Sequence, residues 1–187
     1  MQRNLDVTHY RNGDVIPQVT DSYTWAHLTT GAWCYYDNDP ANASYGKLYN
    51  AYAVHDPRGL APQGCHVPNQ SECNALITHC QTLGGNYAKE GKLKETGFAH
   101  WGDPNYSSNE TGFTALGSGG RFLSGDGNGS IDSSHFSSLK GTLHIWTSTP
   151  VPGSVLSTQI FLISNGSVHT FNAYENRNGK SVRCVKD

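Results

Sequence analysis

Oxygen-bearing side chains alternate with glycine in the stretch Gly125-Asp126-Gly127-Asn128-Gly129-Ser130-Ile131-Asp132. Calcium loops place their oxygen ligands at alternate positions in this way. An EF-hand loop also needs Gly at its sixth position and Glu at its twelfth, and those positions hold Ile131 and Ser137. The stretch therefore predicts a glycine-rich turn without a metal, and we expect the chain to carry no cofactor.

The nine histidines do not fall into a catalytic pattern. The chain has neither the Gly-x-Ser-x-Gly elbow that exposes a nucleophilic serine nor the His-Glu-x-x-His helix that holds a catalytic zinc. Carboxylates such as Asp37, Asp39, Glu90 and Glu95 lie in polar stretches, where solvated surface is their usual state. We therefore predict that the chain is not an enzyme.

The five cysteines, at positions 34, 65, 73, 80 and 184, cannot all pair within one chain. They form no Cys-x-x-Cys pair, and His66 beside Cys65 lacks a second ligand pair at zinc-finger spacing. Small buried thiols are the default for Cys34, Cys65 and Cys73. The spacing predicts no structural zinc site.

The composition excludes several classes of partner. A net charge of -2 and a sequence pI near 6.5 leave no basic surface for nucleic acid. No apolar run approaches the roughly 18 residues that span a bilayer, so we expect no membrane insertion. With 187 residues, 36% of them hydrophobic, the chain can fill one core and is short for two. We expect a single domain over residues 1–187.

The most regular local pattern predicts a helix from Ser71 to Leu83. Asn69 and Glu72 stand at the N-cap and N3 positions of a capping box, and Gly84-Gly85 ends the pattern. Its apolar positions, which predict a single stripe packed against a sheet, are Cys73, Leu76, Ile77, Cys80 and Leu83.

The other elements are predicted to be short. A second helix is expected from Asp21 to the Gly31 stop and a strand from Lys47 to Val54, whereas residues 97–141 read as turns around short strands. Near the end, Asn165-Gly166 separates two apolar stretches, which is a strong hairpin signal, and a last strand is expected from Lys180 to Val185. The pattern predicts an α+β fold with a closing antiparallel meander.

Three stretches, in this order, resemble one family: Gly91 to Gly97 (GKLKETG), Asn109 to Leu116 (NETGFTAL) and Gly179 to Asp187 (GKSVRCVKD). They are similar to the Fibrobacter succinogenes major paralogous domain, a bacterial surface domain in the superfamily of C-type-lectin-like folds. The resemblance implies a C-type-lectin-like fold, with a few helices around short antiparallel sheets and a C-terminal meander. Because Met1 to Leu5 resembles an internal part of the family pattern, it also implies a further N-terminal strand upstream.

The resemblance carries implications for the cysteines. In C-type lectins a cysteine on the first helix pairs with one on the last strand, and Cys80 and Cys184 occupy comparable places. A disulfide between them is one alternative, and two free thiols are the other. The formylglycine-generating relatives in this superfamily use a C-terminal cysteine pair, but this chain has only Cys184 after residue 80. That activity is therefore not implied here.

The closing meander contains the candidate ligand site, because Ile160-Phe161-Leu162-Ile163 is apolar at every position although one sheet face should be solvated. The resemblance places Phe161, Ile163 and Val168 inward. Exposed apolar and aromatic groups usually mark a contact surface. An upstream segment or a partner subunit that covers them is the alternative. The candidate ligand-binding residues are Gln159, Ile160, Leu162, His169, Phe171, Tyr174 and Asn176.

These observations favour a non-catalytic, lectin-like or adhesin-like domain that binds a carbohydrate or protein receptor. The resemblance suits an extracellular bacterial surface protein or a receptor-binding protein at a phage tail tip. The stretch between Trp146 and Ser181 also resembles the segment that a diversity-generating retroelement mutates in lectin-like proteins. The alternative is a structural subunit whose same apolar face joins copies of the chain into a homo-oligomer.

Overall fold

A computed structural model describes residues 3–85, 89–125, 131–150, 156–163 and 167–187, with the backbone alone for residues 156–163, 167, 169 and 171–174. Short 3₁₀ turns also occur at Tyr36–Asn38 and Pro40–Tyr45. The α-helices in these ranges are α1 (Ser22–Ala26), α2 (Ala51–Val54), α3 (Gln70–Thr82) and α4 (Lys89–Leu93).

Helix α3 forms where its local sequence predicts it. The Asn69 side chain accepts from the Glu72 amide at 2.9 Å, and the Glu72 carboxylate accepts from the Asn69 amide at 2.8 Å. This reciprocal capping box satisfies two amides that a helix start would otherwise leave without partners. The predicted stripe is confirmed, since Cys73 and Cys80 are buried and Leu76 and Ile77 pack against the same core cluster.

Three sheets are formed in the described ranges. The strands are β1 (Trp33–Cys34), β2 (Leu48–Tyr49), β3 (Cys65–His66), β4 (Ser118–Gly125), β5 (Ile131–Leu139), β6 (Thr142–Pro150), β7 (Leu156–Ile163), β8 (Ser167–Glu175) and β9 (Val185–Lys186). Strands β1 and β2 pair with each other, β3 pairs with β9, and the five-stranded sheet has the order β5-β4-β6-β7-β8. Mixed helix and sheet confirm the predicted α+β class, and β6-β7-β8 is the predicted meander. The expected hairpin turn at Asn165-Gly166 lies outside the described residues.

Two predicted strands take a different form. The expected strand from Lys47 to Val54 ends after Tyr49, because the Asn50 side chain accepts from the Ala53 amide and caps α2. The expected strand from Lys180 to Val185 is also divided. Lys180 bridges Tyr49 and Ser181 bridges Ile145, while only Val185–Lys186 forms β9. This segment hydrogen-bonds to several elements in turn, so it does not form one long ladder.

One face of the five-stranded sheet is covered by helices. On β6 and β8, Leu143, Ile145 and Val168 are buried in the cluster that includes the α3 cysteines. On β4 and β5, Leu123 and Phe136 pack against the cluster of Trp25, which α1 supplies. Because side chains alternate across a strand, the neighbouring positions on these strands belong to the opposite face.

Trp146 is fully buried, and it lies in a different core cluster from the buried residues of α3. Its indole nitrogen donates to the Tyr49 carbonyl at 2.8 Å, and the two residues share a core cluster with Val182 and Cys184. Cys80 lies in the other cluster, beneath α3, as a free thiol. The Cys80–Cys184 disulfide that the resemblance suggested is therefore not formed.

In the part of the chain that the structure describes, the helices are all too short or too polar to traverse a lipid bilayer.

Candidate ligand-binding surfaces

A pocket of about 390 Å³ opens on the sheet face opposite the one that α1 and α3 cover. Strand β4 contributes Phe122, β5 contributes His135, Ser137 and Ser138, and β6 contributes Thr142 and His144. We call these six residues the ring-lined face. His144 is buried, whereas the His135 imidazole, the Phe122 ring and the hydroxyls of Ser137 and Ser138 suit a ligand that is partly apolar and partly hydrogen-bonding.

The rings of this face contact one another. Phe122 stands opposite His135 in the β4–β5 register, with ring centroids 6.0 Å apart and stacked, and it meets His144 edge to face at 5.4 Å. The Ser124 hydroxyl lies 2.6 Å from Nδ1 of His135. These contacts restrict the rotation of Phe122 and His135, so part of the face is ordered before any ligand binds.

A buried lysine contacts two of these rings. The Lys180 ammonium lies 3.4 Å from the centroid of Phe122 and 3.2 Å from Nδ1 of His144. Burial, followed by the nearby Lys180 charge, lowers the pKa of His144 to about 2, and burial lowers the pKa of Lys180 well below its ordinary value. His144 is therefore neutral at physiological pH, and its Nδ1 shares a hydrogen bond with Nζ of Lys180.

The strand register continues this face onto the meander. His144 stands opposite Phe161, and Phe161 stands opposite His169. Gln159 stands opposite Phe171 in the same ladder. Cross-strand partners share a sheet face, so these positions continue the same face across β7 and β8, where Gln159 also stands opposite the fully buried Trp146.

The same register divides the predicted ligand-binding set. Ile160 stands opposite Ile145, and Leu162 stands opposite both Leu143 and Val168, so these two positions belong to the face that α3 covers. The expectation that Phe161 and Val168 share an inward face does not hold in this register. The side chains of six predicted residues lie outside the described part of the structure: Gln159, Ile160, Leu162, His169, Phe171 and Tyr174.

Asn176, the remaining predicted residue, is described and lies elsewhere. Its carbonyl accepts from the Ala51 amide at 2.8 Å, and the residue lines a pocket of about 280 Å³ that also includes Tyr52 and Arg58. Asn176 is thus not part of the ring-lined face.

Sequence reasoning missed the ring-lined residues of β4 and β5. It treated residues 97–141 as turns around short strands, whereas β4 and β5 are eight and nine residues long. The signal was present, because the glycine-rich stretch from Gly125 separates two segments long enough to form a hairpin.

A third, more polar opening of about 590 Å³ lies among three chain segments. We call it the polar cleft, and its polar side chains include Arg3, Asp6, Ser44, Glu95, His100 and Thr114. Nδ1 of His100 lies 2.7 Å from Oε2 of Glu95, and each of the two side chains is about a quarter exposed. This pair is held in place and remains accessible.

A fourth opening, of about 320 Å³, lies between α3 and the C-terminal segment. It is mostly apolar, with Leu76, Phe113 and Ile145 in its wall and Glu72 and Lys186 also lining it. The described side chains contain no group of three or more His, Cys, Asp or Glu arranged to hold a metal. The stretch from Asp126 to Ser130 lies outside the described residues.

Comparison with known proteins assigns the chain to a family. The sequence profile of the Fibrobacter succinogenes major domain matches residues 1–186. Comparisons with curated proteins and with solved structures found no match. The profile covers nearly the whole chain, so the resemblance carried by the GKLKETG, NETGFTAL and GKSVRCVKD stretches is confirmed. The chain belongs to the Fibrobacter succinogenes major domain family.

Proposed function

We propose that this chain is a non-catalytic binding module with a C-type-lectin-like fold, which recognises a carbohydrate or protein receptor through the ring-lined face. The module would act outside the cell, as part of a bacterial surface protein or of a phage tail tip. The observation that carries the proposal is the asymmetry of the five-stranded sheet. Helices α1 and α3 cover one face, while the other presents contacting rings around an open pocket.

The way the chain closes around the meander supports a variable binding segment. The Trp146 amide donates to the Ser181 carbonyl at 3.0 Å, and the Ser181 amide donates to the His144 carbonyl at 3.0 Å. The two ends of the stretch between Trp146 and Ser181 are thus hydrogen-bonded to each other and to His144, and all three residues are buried. Substitutions on its solvent face would leave these anchors in place, which suits a segment that a retroelement diversifies.

The second candidate is an assembly subunit that uses the same face to join copies of the chain. Aromatic and apolar groups on a sheet face suit either role, since both bury apolar surface. Substitutions on this face would reduce receptor binding if the chain is a binding module. They would change the oligomeric state if the chain is an assembly subunit.

Two double variants test the proposal, one on each of the two sheet faces that the strand register defines. His169→Ala with Phe171→Ala removes groups at positions of the ring-lined face, and it should abolish binding while leaving the melting temperature nearly unchanged. Ile160→Ala with Leu162→Ala alters neighbouring positions on the α3-covered face, and it should lower the melting temperature because core truncations typically cost roughly 1–5 kcal/mol each. Binding would be measured on whole bacterial cells and on a glycan array, and stability by thermal melting.

The control measurement is sedimentation of the wild type and both variants. A change in oligomeric state on altering His169 and Phe171 would favour the assembly role. If this pair unfolds the protein while the Ile160 and Leu162 pair does not, the assignment of the two faces is wrong.

A further inference from the structure

The polar cleft is built from residues far apart in the chain and separate from the ring-lined face. Arg3 and Asp6 come from the N-terminal segment, Ser44 from the second 3₁₀ turn, and Glu95 and His100 from the loop after α4. We propose that this cleft is a second binding site, for a neutral saccharide. The inference does not depend on the function proposed for the ring-lined face.

The charges around the cleft favour an uncharged ligand. Asp6 forms an ion pair with Lys47, and Glu95 is bound to His100. Arg3 is exposed to solvent, and the buried Arg183 beneath the cleft donates to Asn4 and to the Phe113 and Thr114 carbonyls. Both carboxylates are therefore already paired, and neither is available to attract a cationic ligand.

Hydrogen-bonding capacity points to hydroxyl groups as the recognised chemistry. A carboxylate only accepts and a guanidinium only donates, whereas an imidazole can do either through its two nitrogens. Nδ1 of His100 is taken by Glu95, so Nε2 is the ring nitrogen through which His100 can reach a ligand. A saccharide hydroxyl both donates and accepts, and it can therefore satisfy Asp6, Arg3 and His100 alike.

The Glu95–His100 pair is held by the surrounding backbone. The Asn105 side chain donates to the Glu95 carbonyl at 2.9 Å, and the Ser107 hydroxyl donates to the same carbonyl at 2.7 Å. The Gly117 amide donates to the His100 carbonyl at 3.2 Å, and a Cβ at Gly117 would lie only 2.7 Å from that oxygen. The ring of Tyr45 meets the His100 ring edge to face at 4.9 Å. Such preorganisation lowers the entropic cost of binding.

The floor of the cleft is also rigid. Asn4 is buried, donates to the Tyr45 carbonyl at 2.8 Å, and accepts from Nε of Arg183 at 2.8 Å. Arg183 in turn donates to the Thr114 carbonyl at 2.7 Å. Gly46 has a φ of 76°, and a Cβ there would lie 2.8 Å from Cβ of Asn4, so only glycine fits beside this floor.

Nuclear magnetic resonance of the His100 ring tests the proposal directly. The probes are the methyl glycosides of glucose, galactose, mannose and N-acetylglucosamine at about 10 mM, roughly ten times a millimolar Kd. Glucuronate and inorganic phosphate serve as anionic comparators. At least one neutral glycoside should shift the ring C–H resonance saturably, and His100→Ala identifies that resonance by its disappearance.

Two variants measure which groups of the cleft contribute to binding, and a third variant is the control. Glu95→Gln and Arg3→Gln should each weaken the binding by about tenfold, because each replaces a charge-assisted hydrogen bond. Arg3 is exposed, so its variant should not disturb folding. His66→Asn is the matched control, because His66 is also bound by a carboxylate but lies outside the cleft, and it should leave the affinity unchanged.

The outcomes separate this site from the ring-lined face. Loss of glycoside binding in Glu95→Gln and Arg3→Gln, with receptor binding at the ring-lined face intact, supports a separate saccharide site. The proposal is overturned if no neutral glycoside shifts the His100 resonance, or if only glucuronate or phosphate does. Equal affinity in wild type and in both cleft variants would also overturn it.

Discussion

At the scale of single residues, buried cations hold separate chain segments together through backbone carbonyls. Arg121 donates to the Val19 and Thr20 carbonyls at 2.9 Å each, and Arg183 donates to the Phe113 and Thr114 carbonyls. Lys92 donates to the Cys80 carbonyl at 3.2 Å and to the carbonyls of Leu83 and Gly84. A guanidinium or ammonium that satisfies several otherwise unpaired oxygens fixes loops that have little regular structure.

A substitution at Lys92 tests this arrangement, because the Lys92 ammonium donates hydrogen bonds to carbonyls at the C-terminal end of α3. Lys92→Met keeps the length of the side chain but removes the donors, and it should reduce the free energy of unfolding by roughly 2–4 kcal/mol. Lys89→Met is the control, since Lys89 is exposed on the same short helix and should cost little. Chemical denaturation of the two variants makes the comparison, and equal midpoints would contradict the role of Lys92.

His66 should make stability depend on pH. Its Nδ1 lies 2.7 Å from Asp187 and its Nε2 lies 2.8 Å from Glu72. The hydrogen bonds that His66 makes to Asp187 and Glu72 raise the pKa of His66 above its ordinary value of 6.5, so its contribution is fully present below that value and is lost as pH rises through the raised pKa. The Asn69 amide and His66 lower the pKa of Glu72 below 4.5, so the contribution of Glu72 disappears as pH falls through the lowered value.

Stability from this group should therefore be greatest between about pH 4.5 and pH 6.5, the ordinary values of the two groups. The melting temperatures of wild type and His66→Asn are measured across the pH range. Their difference at each pH gives the contribution of His66 to stability. The difference should shrink above neutral pH. A difference that stays constant from pH 5 to pH 9, the range about the ordinary histidine value, would show that His66 does not titrate in this contact.

At the scale of elements, α3 begins at its Asn69 cap and packs its buried side chains against the sheet face that carries Ile145 and Val168. The Thr170 hydroxyl also donates to the Asn74 side chain at 3.1 Å, which joins β8 to the same helix. Because α3 packs on this face, it separates the meander positions on the covered face from those on the opposite face.

The stripe of α3 can be tested with two adjacent substitutions. Leu76→Asp places a carboxylate against the cluster of Cys73 and Cys80, and it should lower the free energy of unfolding by roughly 2–4 kcal/mol. Ala75→Asp adds the same charge at an exposed position of the same helix and should have a small effect. Thermal melting distinguishes them. A similar loss in both variants would mean that the charge, and not the buried stripe, is responsible.

At the scale of the whole molecule, the described residues form three apolar clusters, with buried cations and hydrogen-bonded loops beside them. The sequence predicts no metal in the stretch from Asp126 to Asp132, because it lacks the Gly and Glu positions of an EF-hand loop. Addition of EDTA should therefore leave the melting temperature and receptor binding unchanged. A clear fall in melting temperature, restored by calcium, would contradict this prediction.

The features predictable from sequence alone were those that depend on neighbouring residues. The α3 helix follows from Asn69, Glu72 and the spacing of Cys73 and Cys80, since capping and helical periodicity act within a few residues. The α+β class and the closing meander follow from similar local signals. The family follows from three short stretches whose order along the chain is characteristic.

Tertiary structure decided which residues meet. Asn50 ends a predicted strand because its side chain binds both the Ala53 amide and the Ala32 amide. Periodicity at Ile160 to Ile163 could not choose a face, because every position there is apolar, and the register against β6 and β8 made that choice. Lys180 reaches Phe122, and Glu95 reaches a cleft shared with Asp6, through packing between distant segments. Such contacts depend on how whole elements fit together, and no local pattern in the sequence records that fit.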